Sequence, residues 1–344
     1  MDSDLHVKTP LIESKTMSQL AGRRVYLKLE NLQLGGSFKI RGIGKTMQEA
    51  VRNGAKEFVG SSGGNAGMAM AIAAKRLNKK LTVYIPSSTL DFMVDKLRAE
   101  GAIVVVSGSN LDEANKAAME ATEKDKDIFL VHPFNQSTTW AGHASIIEEV
   151  RRELSPEVPS CIVTAVGGGG LALGLLEGMD WAPEWKNVDL VTMETVGANC
   201  LFEARKAGEL VSLPGITSIA TSIGILQVEP TLLNYCLENP DKVLSYQVTD
   251  REAKDACIQF ANEERFLVEP ACGAALCAVY SSGVIEDLKE KLGDGPVVII
   301  VCGGNIINLE LLQEWVKEKS YVGLYFYCKV LLIAIAFITL YFTN

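Results

Sequence analysis

An almost wholly apolar run, CIVTAV at 161–166, enters four consecutive glycines and leaves as LALGLLEGM. A strand without a polar face must be covered on both sides. Parallel sheets flanked by helices provide that cover, whereas antiparallel sheets commonly leave one face to water. The run is therefore expected to be a central parallel strand of an α/β protein. Other segments repeat the rhythm. RVYLKLE at 24–30 alternates as a strand does. Residues 56–60 form a short strand that enters SSGGNAG at 61–67 and continues as MAMAIAAKRL, a helix rich in alanine and methionine. LTVYIP at 81–86 reads as a strand stopped by Pro86, 89–99 as a helix, AIVVVSG at 102–108 as a strand and 111–123 as a helix. This βαβα series predicts a compact unit with a parallel sheet. VDLVTMET at 188–195 and VVIIVCGG at 297–304 add strands, 250–266 a helix, and VEPACGAALCAVYSSG a close-packed internal helix. The 344 residues suit two domains. With no repeat and no low-complexity linker, the early α/β unit is expected to be inserted in a larger one.

Composition narrows the function. A net charge of −9 argues against a nucleic-acid partner, which usually calls for a basic patch. The eight cysteines form no CxxC pair and sit mostly among apolar residues, which points to buried free thiols in a reducing compartment rather than disulfides or zinc. Three histidines are little material for a histidine cluster. The acidic N-terminus lacks the apolar core of a secretory signal, so a cytoplasmic catalytic body is expected. The C-terminal stretch 321–342 differs: Lys329 is its only charge. Its uninterrupted apolar run falls short of the roughly 20 residues of a full span, but the whole stretch reaches if Lys329 snorkels. A membrane anchor, a buried helix and a chain end altered by a misread exon all remain open readings.

Two glycine-rich loops carry the chemistry. Gly167, Gly168, Gly169 and Gly170 let backbone approach a ligand, and successive N–H groups at a helix start can hold a phosphate. A dinucleotide fingerprint beginning at Gly167 would need glycine at 172, where alanine stands, so a single phosphate monoester fits better. The bland alternative is a tight turn that packs closely. The second loop, Ser61, Ser62, Gly63, Gly64, Asn65, Ala66 and Gly67, offers hydroxyls, an amide and glycine N–H groups for a carboxylate. Its bland alternative is helix capping by Ser61, Ser62 or Asn65.

GGSFKIRG at 35–42 holds Lys39. A P-loop ending in Gly44-Lys45-Thr46 would need glycine at 39, so that reading fails. An ordinary surface lysine and a Schiff-base nucleophile remain. A candidate nucleophilic lysine, a phosphate cradle and a carboxylate cradle together suit pyridoxal phosphate acting on an amino acid.

These motifs, in order, are HVKTPL at 6–11, Glu30 followed by GGSFKIRG, SSGGNAGMA, VGGGGLALG, METVGA, VEPACGAALCAVY and VVIIVCGG. They resemble the fold-type II pyridoxal-phosphate enzymes, in particular the serine dehydratase/threonine deaminase family, over about residues 5–318. The resemblance implies an α/β fold of the tryptophan synthase β-like kind, with two parallel-sheet domains and the cofactor between them. It implies a larger cofactor-binding domain of residues 1–38 plus 136–318, a smaller substrate-carboxylate domain of 39–135, and an apolar tail at 319–344. Lys39 would carry the cofactor as a Schiff base and take the substrate's α-proton. Phe38 would lie on one face of the pyridine ring and Ser222 near the other. Gly167 to Gly170, with Leu171, would hold the phosphate, Asn65 the phenolic oxygen, Ser62 and its loop the substrate carboxylate, and Cys302 the pyridine nitrogen. A monovalent cation, potassium, would sit among Glu194 and the backbone of Ala198, Ile223 and Ile225, with Gly168 near that shell. Serine would give pyruvate and ammonia, threonine 2-oxobutanoate and ammonia. A homodimer is implied. A neutral thiol at the ring nitrogen favours prompt β-elimination. Without the resemblance, Cys302 reads as a core thiol.

The chain departs from the pattern in three places. Gly63 stands where racemising relatives carry a proton-bearing serine, which argues against racemisation as the main activity. It resembles the serine dehydratase-like subgroup, and a looser substrate loop is expected, with Gly63→Ala raising turnover on serine. Ile306 replaces an asparagine and removes polar contacts at the cofactor's edge. The apolar tail is the third departure. Rival readings are a weakly catalytic cofactor-binding relative, tethered to a membrane by 321–342, and a threonine-preferring or racemising enzyme.

Overall fold

The computed structural model describes residues 4–319 except residue 124. The apolar stretch 321–342, Cys328 and most of the expected 319–344 tail lie outside the described residues. Two units are distinguished, Met1–Ile306 and Ile307–Asn344. Within the second, residues 309–319 are helical. Among the described residues no single helix is long and apolar enough to cross a membrane.

Met1–Ile306 contains two sheets. The strands are β1 Leu11–Glu13, β2 Val25–Lys28, β3 Glu57–Ser61, β4 Lys80–Ile85, β5 Ile103–Val106, β6 Ile128–Val131, β7 Cys161–Ala165, β8 Asp189–Thr195, β9 Val243–Val248 and β10 Val297–Ile300. The larger sheet runs β1-β2-β10-β7-β8-β9 and the smaller β5-β4-β3-β6. All pairings are parallel except β1 on β2, which closes one edge of the larger sheet antiparallel. The expectation drawn from CIVTAV holds. β7 lies between β10 and β8 with every residue buried, and Val297 of β10 pairs with Cys161. The helix Pro270–Tyr280, rich in alanine and cysteine, is buried from Pro270 through Val279. Small side chains let such a helix approach its neighbours closely.

The helix Lys39–Arg52 buries Ile40, Ile43, Met47 and Ala50, a spacing of three or four residues that makes one apolar stripe. That stripe joins Phe58 of β3, Leu81 and Val83 of β4, and Met70 of the helix Asn65–Arg76 in the core of the smaller sheet. The start of the same helix is pinned by charge. Arg41, buried, forks onto Glu30 with Nε–Oε2 2.7 Å and Nη2–Oε1 2.8 Å, and reaches Glu149 at 2.8 Å. Glu149 also receives Lys28 at 2.7 Å. Bidentate, desolvated pairs of this kind are strong when complete, and deleting one partner strands a buried charge. Arg41 thus ties the backbone two residues beyond Lys39 to Glu30, to the helix Ser145–Leu154 and, through Glu149, to Lys28 of β2.

Candidate active site

β3 and β7 each end in a glycine-rich loop that opens a helix. The helix Asn65–Arg76 has Gly64 as its N-cap, and the helix Gly170–Asp180 has Gly169, at φ 97°; neither N-cap makes a side-chain capping bond. Capping by Ser61, Ser62 or Asn65 is therefore not what the hydroxyls and amide do. Ser62 Oγ accepts the Gly64 N–H at 3.2 Å, Ser61 Oγ donates to Asn115, and Asn65 is the first helical residue with its side chain turned elsewhere. The two helix starts keep N–H groups without side-chain caps, which with the helix dipole favour anions.

Both loops line one cavity of about 600 Å³, within the range of small-molecule sites. Phe38, Lys39, Ser62, Gly63, Asn65, Gly167, Gly168, Gly169, Gly170, Leu171, Ser222, Ile223, Ile225, Cys302 and Ile306 all lie on its wall. Lys39 begins the helix Lys39–Arg52; its Nζ donates to the Pro133 carbonyl at 3.0 Å and stands 5.3 Å from the Phe38 ring centroid. Burial pushes the ammonium down to about 8, while the Glu269 charge pulls it back. An amine poised there can be neutral near physiological pH. Phe38 is held edge-on to His143, ring centroids 5.0 Å apart. Cys302 follows β10 by two residues; its thiol is buried, donates to the Ile300 carbonyl at 3.5 Å and is pushed up to about 12 by burial. It is a neutral thiol over the working range. The seven cysteines among the described residues are free and buried.

The expected cation ligands are split. Ile223 and Ile225 reach the cavity wall, but Glu194 and Ala198 do not. Glu194 is buried on the start of the helix Cys200–Ala207, accepting Leu201 N–H at 2.9 Å and Phe202 N–H at 2.8 Å. Burial nevertheless holds its carboxyl up to about 8. Among the described residues no three His, Cys, Asp or Glu side chains gather as a metal site.

Glu269 was missed by residue-by-residue reading. It stands on the cavity wall, 4% exposed, just before the helix Pro270–Tyr280. Its Oε1 accepts Asn65 Nδ2 at 2.7 Å, and its Oε2 has no hydrogen-bond partner. Burial pushes the carboxyl up to about 7, against the pull of the Ser222 hydroxyl, the Ile306 amide, Asn65 and the Lys39 charge. One signal was available: a lone carboxylate in VEPACGAALCAVY, a segment otherwise without charge.

These shifts set a pH dependence for the cofactor-free protein. Glu269 and Glu194, ordinarily near 4.5, hold their protons longer when folded. Their contribution is present below pH 4.5 and is lost as pH rises through about 7 and about 8 respectively. Lys39 works oppositely: the folded form loses its proton first, so stability rises between about 8 and 10.5. Thermal melts of Glu269→Gln should lose part of the wild-type decline between pH 5 and 7. An unchanged pH slope would count against a raised Glu269 carboxyl.

Residues 3–303 match the family described as pyridoxal-phosphate dependent enzyme. The chain is 42% identical over 327 residues to the L-serine dehydratase/L-threonine deaminase of Bos taurus, covering 93% of this chain and 98% of that protein. It is 46% identical over 322 residues to the serine dehydratase-like protein of Homo sapiens, covering 92% and 95%. The fold superposes on a fungal L-serine ammonia-lyase from Rhizomucor miehei with a TM-score of 0.85 at 31% identity, covering 92% of this chain and 99% of that one. Sequence, fold and the lysine cavity agree: the chain belongs to the fold-type II pyridoxal-phosphate dependent enzymes, in their serine dehydratase/threonine deaminase family.

Proposed function

We propose that this chain deaminates L-serine to pyruvate and L-threonine to 2-oxobutanoate, releasing ammonia in each case. The observation that carries the reading is Lys39 on a cavity wall that also bears two helix starts without side-chain caps, its ammonium pushed down to about 8 by burial. The relatives named above support the substrate class.

The residues present fit pyridoxal phosphate. Gly168 and Gly170 pack against Phe134 so closely that a Cβ on either would collide, which leaves bare N–H groups for a phosphate. Lys39 supplies the amine for a Schiff base. Cys302 supplies an uncharged partner for a pyridine nitrogen. When bound, the cofactor supplies an electron sink at the substrate's α-carbon. The chain's own residues do the rest. Lys39 Nζ, largely surrounded by protein, takes the α-proton. Ser62 and the N–H groups of residues 63–65 bind the substrate carboxylate and orient it. Phe38 and Ser222 bound the space for a flat ring. The neutral Cys302 thiol offers no charge to hold a pyridine proton, which favours elimination. We also assign a potassium ion to Glu194 and the backbone around Ala198, Ile223 and Ile225, and a homodimeric assembly, both resting on the resemblance. Exchange of potassium for lithium should lower activity, and sedimentation should give twice the chain mass.

Adding serine or threonine to the cofactor-loaded protein should release the corresponding 2-oxo acid with equimolar ammonia. A loaded protein that releases neither would sink the reading.

Gly63 changes one expectation. An ideal Cβ at 63 would lie 2.5 Å from Thr89 Cγ2 and 2.6 Å from Thr89 Oγ1, so there is no empty space above the loop. Overpacking of this kind costs about 1–3 kcal/mol. Gly63→Ala alone is therefore expected to lower turnover on serine by about tenfold, not raise it, by displacing Ser62 and its loop. Combining it with Thr89→Ala should recover most of the loss. Steady-state rates for the two singles and the double decide; additive losses would contradict the packing argument.

A further inference from the structure

An asparagine amide has two ends of nearly equal shape, one accepting and one donating, and Asn65 turns its amide beside the cavity. Its Oδ1 accepts the backbone N–H of Asn305 at 2.9 Å and Asn305 Nδ2 at 3.0 Å. Its Nδ2 donates to Glu269 Oε1 at 2.7 Å and to Ser222 Oγ at 3.3 Å. The backbone N–H of Asn305 can only donate, and so can the Asn305 amide nitrogen. Reversing the amide would set the Asn65 NH2 against both Asn305 donors. The same Asn305 Nδ2 donates to the carbonyl of Gly35, in the loop that leads to Lys39. That loop is pinned to the same segment by Gly304 N–H on the Gly36 carbonyl at 2.9 Å and by a bridge between Ser37 and Gly303. Position 306 is isoleucine, so the side-chain hydrogen bonds of this turn rest on Asn305.

We propose that Asn305 is a positioning residue for the cofactor. By bonding both the Asn65 amide oxygen and the Gly35 carbonyl, it fixes which way the Asn65 amide faces, its nitrogen toward Ser222 and Glu269 on the cavity wall, and keeps the Lys39 loop in register with the helix Asn65–Arg76. The inference rests on the cavity being the pyridoxal-phosphate site.

The test compares Asn305→Ala, Asn305→Ser and Asn305→Asp. Dissociation constants for pyridoxal phosphate come from absorbance titration, and thermal melts of the cofactor-free proteins give stability separately. Alanine keeps the backbone bond and loses the side-chain ones, so affinity should fall about five- to tenfold. Aspartate sets a carboxylate against two acceptors. It should weaken binding at least about thirtyfold and shift the absorption band of the bound cofactor. Serine keeps a donor and should stay within about threefold of wild type. The order serine, alanine, aspartate is the signature, and it should not follow the melting temperatures. Wild-type affinity in both alanine and aspartate, or losses that track melting temperature alone, would overturn the inference. If aspartate fails to fold, the serine–alanine difference decides by the same rule. A wild-type chain that takes up no cofactor removes this inference together with the reading of the cavity, whereas normal wild-type binding with indifferent variants removes this inference alone.

Discussion

Lys39→Ala is expected to fold and to release 2-oxo acid from serine or threonine at less than about one thousandth of the wild-type rate. A positioned base contributes about 10²–10⁴-fold, and here the same amine is also the group that would carry the cofactor. Lys39→Arg should be as inactive, because a guanidinium keeps its charge at any working pH and forms no Schiff base. Stability should respond differently. Burial already disfavours the Lys39 ammonium, so removing it should leave the cofactor-free protein melting at or above the wild-type temperature at pH 7. Rates and melts on the same preparations check both halves. A Lys39→Ala protein retaining a tenth of wild-type activity would move the base to another residue.

Gly170→Ala is expected to weaken binding of pyridoxal phosphate about 10- to 100-fold and to destabilise the chain as well. The new Cβ would lie 2.6 Å from the Phe134 carbonyl oxygen, 3.0 Å from its Cβ and 3.1 Å from its Cα. Backbone cannot swing aside as a side-chain tip can. The Phe134 carbonyl is held further by Trp140 Nε1 at 2.7 Å. The neighbouring Pro133 carbonyl receives Lys39 Nζ, so displacement of this segment also disturbs the lysine. Overpacking costs about 1–3 kcal/mol, equivalent to about 5- to 150-fold where it opposes binding, which brackets the loss of affinity given. Gly283→Ala is the control: nothing lies within 4 Å of its would-be Cβ, and it sits in the helix Ser282–Lys291. It should be neutral or slightly stabilising. Titration of the cofactor and denaturant melts of both variants distinguish the cases. A Gly170→Ala protein with wild-type cofactor affinity would mean that the loop does not hold the phosphate.

Much of the α/β scaffold was legible because burial on two faces leaves a plain mark. CIVTAV and VVIIVCGG are nearly continuous apolar runs, VDLVTMET keeps apolar residues at Val188, Leu190, Val191 and Met193, and all three are strands of the larger sheet. β9, VLSYQV, escaped notice. It is an edge strand with a half-buried middle, so serine, tyrosine and glutamine are tolerated there and the apolar signal is broken. β1 is three residues long, too short for periodicity to register. β1 also turns the sheet edge antiparallel, a choice made by pairing rather than by its own residues.

The residues of the proposed site divide along the same line. Local patterns singled out Lys39 and both glycine loops, because a loop that must offer bare N–H groups leaves glycines in a row. Resemblance added Phe38, Ser222 and the role of Cys302, and turned Asn65 from a loop amide into a cofactor contact. Neither route found Glu269, Asn305 or Thr89. Each matters through a partner distant in the chain: Glu269 and Asn305 meet Asn65 across 204 and 240 positions, and Thr89 covers Gly63 from the turn after β4. The same separation reversed the expected effect of Gly63→Ala, since the space above a glycine belongs to whatever folds over it. By itself the sequence determined a two-sheet α/β scaffold, glycine loops opening helices, and a lysine suited to covalent chemistry. Such features depend on neighbours a few residues apart, and steric and burial rules act at that range. Only the tertiary structure decided that Lys39 is desolvated, that Cys302 stays a thiol, that Glu269 lies buried beside Asn65, and which way the Asn65 amide points. Those properties depend on excluding water and pairing donors with acceptors across segments that meet only in the folded chain.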